Sequence, residues 1–133
     1  MSDVIGVGVD LCAVGRIARA IEKERFVLRV YTEEERAYLE ARGAGRAQSA
    51  AALFAAKEAV AKALGTGFSG GVAMREISVG HDGAGAPHVT LSGAALERMR
   101  ELGGERVLLS LTHEDGTAAA FAVMTGNRRG EVC

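Results

Sequence analysis

Tryptophan is absent from this sequence, and aromatic bulk comes from only four Phe and two Tyr. Any core must be packed with small and aliphatic side chains, drawn from the 48% of residues that are hydrophobic. Cysteine is scarce too. Cys12 and Cys133 are the only two, which excludes a disulfide framework and a cysteine-built zinc site and suits a reduced, cytoplasmic setting. No apolar run is long enough to cross a bilayer. The residues before Val4 include Asp3 instead of the basic start of a signal peptide, so no membrane contact is expected. A formal net charge of −1 leaves no excess of positive charge for a nucleic-acid partner. Pro87 is the sole proline, against 18 glycines. A length of 133 residues suits one domain, expected over 1–126, with a polar tail over 127–133.

What stands out against this background is a pair of carboxylates in apolar surroundings. Asp10 closes the strand-like run Gly6-Val7-Gly8-Val9-Asp10. Glu58 interrupts the Ala-rich, helix-like run Phe54-Ala55-Ala56-Lys57-Glu58-Ala59-Val60-Ala61-Lys62-Ala63. Each has an ordinary structural explanation. Asp10 can cap the helix that follows it, and Glu58 with Lys62 can be a surface pair worth a few tenths of a kcal/mol. The functional alternative is a hard cation shared by both carboxylates and a phosphate group. Gly6-Val7-Gly8 lacks the third glycine of a dinucleotide fingerprint, and the glycine-rich stretch 65–71 has no Gly-Lys-Thr for a Walker loop.

The pattern of the chain predicts an α+β domain of order β-α-α-α-β-β-α-β-β. Val4–Val9 reads as a strand whose glycines allow close approach of a neighbour. Val14, Ile17, Ala18 and Ile21 form the apolar stripe of a helix. Thr32 and Glu35 fit a capping box for a helix to about Ala41. A slim helix is expected over about Ser49–Leu64 and another over Gly93–Leu102, capped by Ser92. Ile77–Val79, His88–Leu91, Arg106–Thr112 and Thr117–Met124 read as strands, the last two joined by a turn at His113-Glu114-Asp115-Gly116. In that turn His113 is either solvated or a donor to an anion. Residues 16–29 are basic, with Arg16, Arg19, Lys23, Arg25 and Arg29, and 33–40 are acidic. These segments are either solvated helix faces or an oriented surface for a charged partner.

Taken together, these segments resemble the bacterial holo-acyl-carrier-protein synthases, the short type of 4'-phosphopantetheinyl transferase. The resemblance rests on Gly6–Asp10 with Arg16-Ile17, on Phe26–Glu35, on Phe54–Ala59 with Lys62-Ala63, on Gly85-Ala86-Pro87, and on Ser110–His113 with Ala118–Ala120. It implies a small antiparallel-type sheet packed with a long central helix, as one half of a fold that longer members duplicate. A single half would assemble into a homotrimer with active sites at subunit interfaces. It also implies transfer of 4'-phosphopantetheine from coenzyme A to a serine of apo-acyl carrier protein, with release of adenosine 3',5'-bisphosphate, in fatty acid biosynthesis.

By this resemblance Asp10 and Glu58 hold Mg²⁺ against the pyrophosphate, and Lys62 neutralises phosphate charge. Glu58 takes the serine proton directly or through a water on the metal. Arg16, Arg25 and Arg29 meet the acidic carrier, and His113 lies near the nucleotide. Leu53 stands where most members carry an Arg that contacts coenzyme A phosphate; either nucleotide binding is weaker here or Arg46 substitutes for that Arg. That departure also makes a non-catalytic coenzyme A or carrier-binding module the alternative reading. A metal-dependent phosphohydrolase using the same carboxylates is a third.

Overall fold

The structure is a computed structural model and describes residues 2–128. Residues 129–133, and with them Cys133 and most of the expected tail, lie outside the described residues. The chain runs β1 (Asp3–Ala13), α1 (Val14–Ala20), α2 (Glu24–Val30), α3 (Glu33–Glu40), α4 (Arg46–Ala63), β2 (Ile77–His81), β3 (Pro87–Leu91), α5 (Gly93–Leu102), β4 (Gly104–Glu114) and β5 (Thr117–Gly126). The strands form two antiparallel sheets, one ordered β1-β5-β4 and one pairing β2 with β3. The α+β class expected from the sequence is what the chain adopts.

Helix α4 is the axis of the core. Its small side chains are buried almost all round, including Ala50, Ala51, Ala55, Ala56, Ala59 and Ala61. Slimness has a purpose here. A Cβ on Gly8 would collide with the carbonyl oxygen of Ala59, and one on Gly6 with that of Ala63. The backbones of β1 and α4 therefore touch. Strand residues alternate between faces, so Gly8, Asp10 and Cys12 point toward α4 while Val7, Val9 and Leu11 point away.

The far side of α4 is tied down by charge. Lys57 is fully buried, and its Nζ lies 2.7 Å from Glu35 Oε1. The ammonium also donates to the carbonyls of Met74 and Ile77. Glu35 accepts from Thr32 N at 2.8 Å, which completes the expected capping box of α3, and from Val79 N at 2.8 Å. One ion pair thus joins α3, α4 and β2. Burial pulls the Lys57 ammonium below the ordinary lysine range, and Glu35 opposes that pull.

Three local expectations change. The basic segment forms two helices, because Lys23 takes an extended conformation (ψ 115) between α1 and α2. No glycine or proline marks that break. Ser92 makes no side-chain cap for α5; Glu76 Oε2 accepts from Ala94 N at 2.9 Å instead. The hairpin turn is shorter than expected. Strand β4 continues through His113 and Glu114, and Asp115 (φ 50) and Gly116 (φ 76) alone make the two-residue turn with positive φ that such hairpins favour.

The outer face of the three-stranded sheet is apolar and uncovered. Val7, Val9 and Leu11 of β1, Phe121 of β5 and Leu108 of β4 are exposed, Leu11 to 68%. Val9 lies opposite Phe121, and Val7 opposite Val123, so the patch is continuous. A patch of this kind marks an interaction face.

The buried pair yields a stability test. Lys57→Met leaves the Glu35 carboxylate without its cation and is expected to cost about 3–5 kcal/mol in urea unfolding. The double variant Glu35→Gln/Lys57→Met removes both charges and is expected to recover most of that loss. If the double variant is no more stable than Lys57→Met, the isolated charge is not the source of the loss.

Candidate active site at the junction of β1 and α4

Asp10 is not a helix cap. Strand β1 continues three residues past it to Ala13, which occupies the N-cap of α1 without a side-chain hydrogen bond. The Asp10 carboxylate faces α4 and accepts from Lys62 Nζ at 2.9 Å. The same ammonium donates to Val9 O at 3.1 Å. Lys62 is half exposed (side chain 51%) and Asp10 is mostly covered (19%). The Asp10 carboxylate holds the Lys62 ammonium above the ordinary lysine range.

Glu58 lies one helical turn before Lys62, on the same face. Among the described residues its carboxylate has no hydrogen bond or ion pair. Burial, then the negative charge of Asp10, push its pKa above the ordinary carboxylate range, while Lys62 and Arg16 pull it back. Two carboxylates therefore repel each other across one space, with an ammonium at its edge. Cys12 is buried beside them; burial raises its thiol pKa, Arg16 lowers it, and both carboxylates raise it further.

No group of three or more His, Cys, Asp or Glu among the described residues could cage a metal. The donor set is two carboxylates only. That fits a hard cation such as Mg²⁺, which takes one or two carboxylates and fills its shell with water and substrate phosphate oxygens.

A groove of ≈ 430 Å³ adjoins the site, lined by Arg16, Arg29, Phe26, Phe54, Phe68 and Met74 among others. The Arg16 guanidinium sits 5.6 Å above the Phe54 ring. Phe54 in turn stacks on Phe26 with centroids 6.0 Å apart. The groove is apolar with cations at its rim.

The family model described as the 4'-phosphopantetheinyl transferase superfamily matches residues 6–122. The chain belongs to that superfamily. It is 47% identical over 131 residues to a holo-[acyl-carrier-protein] synthase of Methylobacterium sp. strain 4-46, covering 94% of this chain and 96% of that one. It also resembles the solved holo-[acyl-carrier-protein] synthase of Neisseria meningitidis, with a TM-score of 0.82 and 38% identity over 92% of this chain and 98% of the other. A Bacillus anthracis holo-(acyl-carrier-protein) synthase solved in complex with CoA (3',5'-ADP) gives a TM-score of 0.78 at 30% identity, covering 93% of this chain and 98% of that one.

Within this transferase fold the expected site residues fall into separate places. Asp10, Glu58 and Lys62 meet. Arg16 and Arg29 flank the apolar groove, while Arg25 is exposed on α2 and is not part of its lining. His113 lies in β4 opposite Ala118 and lines a different pocket of ≈ 230 Å³, together with Leu53 and Leu111. Arg46 does not reach that pocket. It lines a cleft with Glu24, Leu28, Arg36 and Glu40. The arginine beside His113 is Arg42, which the sequence pattern did not single out, nor did it single out Lys57. Lys57 carried a signal: Leu53, Lys57, Val60 and Leu64 are spaced four, three and four apart, so the lysine falls on the buried stripe. Arg42, outside any repeating pattern, carried none.

The raised proton affinity of Glu58 predicts a trade between function and stability. In the metal-free fold Glu58 holds its proton to higher pH than in the unfolded chain, so its ionised form at neutral pH opposes folding. Glu58→Gln is expected to raise the Tm of metal-free protein modestly at pH 7, with the gain vanishing once pH falls below the unfolded carboxylate range. A lowered Tm at pH 7 would contradict the charge balance described for this site.

Proposed function

We propose that the protein is a holo-[acyl-carrier-protein] synthase. It transfers 4'-phosphopantetheine from coenzyme A to a serine of apo-acyl carrier protein and releases adenosine 3',5'-bisphosphate. The observation that carries this reading is the Asp10–Glu58–Lys62 arrangement at the contact of β1 with α4, in a chain that the superfamily model spans almost end to end.

Phosphoryl-type transfer needs positioning and charge neutralisation more than covalent help from the protein. In the proposed reaction the serine oxygen bonds to the phosphorus nearer pantetheine. The bond from that phosphorus to the bridging oxygen breaks, and adenosine 3',5'-bisphosphate departs with the electron pair. Asp10 and Glu58 would hold Mg²⁺, which withdraws charge from the pyrophosphate oxygens when bound. Lys62 adds a fixed positive charge beside them. Glu58 takes the serine proton, directly or across one water.

Arg16 and Arg29 at the groove, with Arg25 on the same helical segment, receive the acidic face of the carrier. His113 is assigned to the nucleotide end of coenzyme A. The exposed face of β1, β5 and β4 supports assembly of copies, and a homotrimer is the proposed form. A cytoplasmic location and a role in fatty acid biosynthesis complete the reading. No helix among the described residues is long and apolar enough to cross a membrane.

The deciding experiment incubates the protein with coenzyme A, Mg²⁺ and apo carrier and weighs the carrier. A gain of one phosphopantetheine supports the transferase. Binding without gain supports a binding module, and release of the group to water supports a hydrolase. Asp10→Asn and Glu58→Gln are each expected to lower transfer by about two orders of magnitude or more while circular dichroism stays native. Undiminished transfer in both would refute the assigned mechanism. Arg16→Glu is expected to raise the KM for the acidic carrier about tenfold and leave that for coenzyme A nearly unchanged. The reverse pattern would move Arg16 from the carrier to the nucleotide.

A further inference from the structure

The pocket on the β4 side of α4 has an unusual charge balance. Its lining includes one Arg and two His, and no Asp or Glu. The cleft that holds Arg46 has the opposite character, because Glu24 and Glu40 line it beside the two arginines. Only the first is poised for an anion.

Arg42 in that pocket is held in place but not neutralised. Its Nε donates to Ser49 Oγ at 3.1 Å, and its guanidinium carbon sits 5.6 Å from the centroid of the Tyr38 ring. Tyr38 stacks on His81, with centroids 4.2 Å apart and planes 8° from parallel. Among the described residues no carboxylate pairs with Arg42, and its two terminal nitrogens have no hydrogen-bond partner. The planar fork is therefore oriented and free to bind a phosphate through two parallel bonds.

A second sign of a missing partner lies beside it. His81 Nδ1 is the one buried side-chain nitrogen or oxygen among the described residues that lacks a hydrogen bond. Buried polar atoms are rarely left so, and an unfilled one asks for a partner. The floor of the pocket is Leu53, buried to 1% exposure, which supplies no charge of its own. A volume of ≈ 230 Å³ is small for a whole cofactor and suits one terminal group.

We propose that Arg42, steadied by Ser49 and Tyr38 beside His81 and His113, is the specificity-determining residue for the ribose 3'-phosphate of coenzyme A. This rests on the transferase reading, in which the pyrophosphate is taken up at Asp10, Glu58 and Lys62. The 3'-phosphate is then the remaining dianion of the cofactor and needs a cation of its own. Leu53 cannot provide it, and the Arg46 cleft carries its own acids.

The test compares binding of adenosine 3',5'-bisphosphate and adenosine 5'-monophosphate to the full chain by calorimetry. The unmodified protein is expected to prefer the bisphosphate. Arg42→Ala should weaken bisphosphate binding about tenfold or more and leave the monophosphate within about twofold, and Arg42→Lys should recover part of the loss. In turnover, Arg42→Ala should raise the KM for coenzyme A with kcat unchanged, and leave the KM for 3'-dephospho-coenzyme A unmoved. Equal weakening of both nucleotides, no weakening, or loss of the preference in Arg46→Ala in place of Arg42→Ala overturns the assignment. Failure of the transferase reading looks different. The unmodified protein would then modify no carrier, while the nucleotide comparison would still decide the role of Arg42.

Discussion

Gly6 and Gly8 leave no side chain between β1 and the carbonyls of Ala59 and Ala63, and the candidate site depends on that absence. At this separation the side chain two residues past Gly8 meets the turn of α4 that carries Glu58 and Lys62. A larger residue at either glycine would push the helix off the strand, and the Lys62–Asp10 hydrogen bond would be the first to break. The alanines of α4 serve the same constraint from the other partner. An ordinary leucine-rich helix could not lie so close, which accounts for the alanine-rich sequence of α4.

Contact on one side does not fix a helix against rotation or sliding. The Glu35–Lys57 pair supplies the second anchor, and it acts on the residue directly before Glu58 in sequence. Lys57 points into the domain toward α3 and β2, so Glu58, about 100° further round the helix, turns toward the β1 side. Adjacent residues of opposite charge thus serve different faces. One charge holds the helix, and the other is left unpaired for chemistry. This division explains why, among the described residues, Glu58 lacks a hydrogen bond while Glu35 and Glu76 each accept more than one.

Much of this was legible in the sequence, for reasons that can be named. The Thr32–Glu35 capping box, the slim helix and the strand glycines are local patterns whose physics does not depend on distant partners. Asp10 and Glu58 stood out because apolar surroundings make a charge conspicuous. The break at Lys23 was hidden, since neither glycine nor proline produces it. The true turn residues were hidden within a longer polar run, although Asp115-Gly116 is a strong two-residue signal. Arg42 was out of reach for a deeper reason. Its neighbours Tyr38, Ser49, His81 and His113 come from separate elements, and only the folded chain shows that its cleft lacks acids where that of Arg46 has them.

The two functional regions also bear on how copies of the chain would combine. Asp10 lies on β1 and His113 on β4, the two outer strands of a sheet whose middle strand is β5. Helix α4 packs across the inner face between them, against both β1 and β5. The same helix borders both places, with Glu58 and Lys62 beside Asp10 and with Ser49 and Leu53 in the His113 pocket, so it stands as an obstacle to one ligand reaching both within one copy. Two copies arranged head to tail avoid the obstacle, because the β1 edge of one can face the β4 edge of the next. Such a contact uses different surfaces on its two sides, so it closes into a ring where the rotation permits. The uncovered apolar face, carried by all three strands, then turns toward the ring's interior. Under the proposed assembly the metal site and the Arg42 pocket serving one coenzyme A belong to neighbouring copies, and neither region is complete alone.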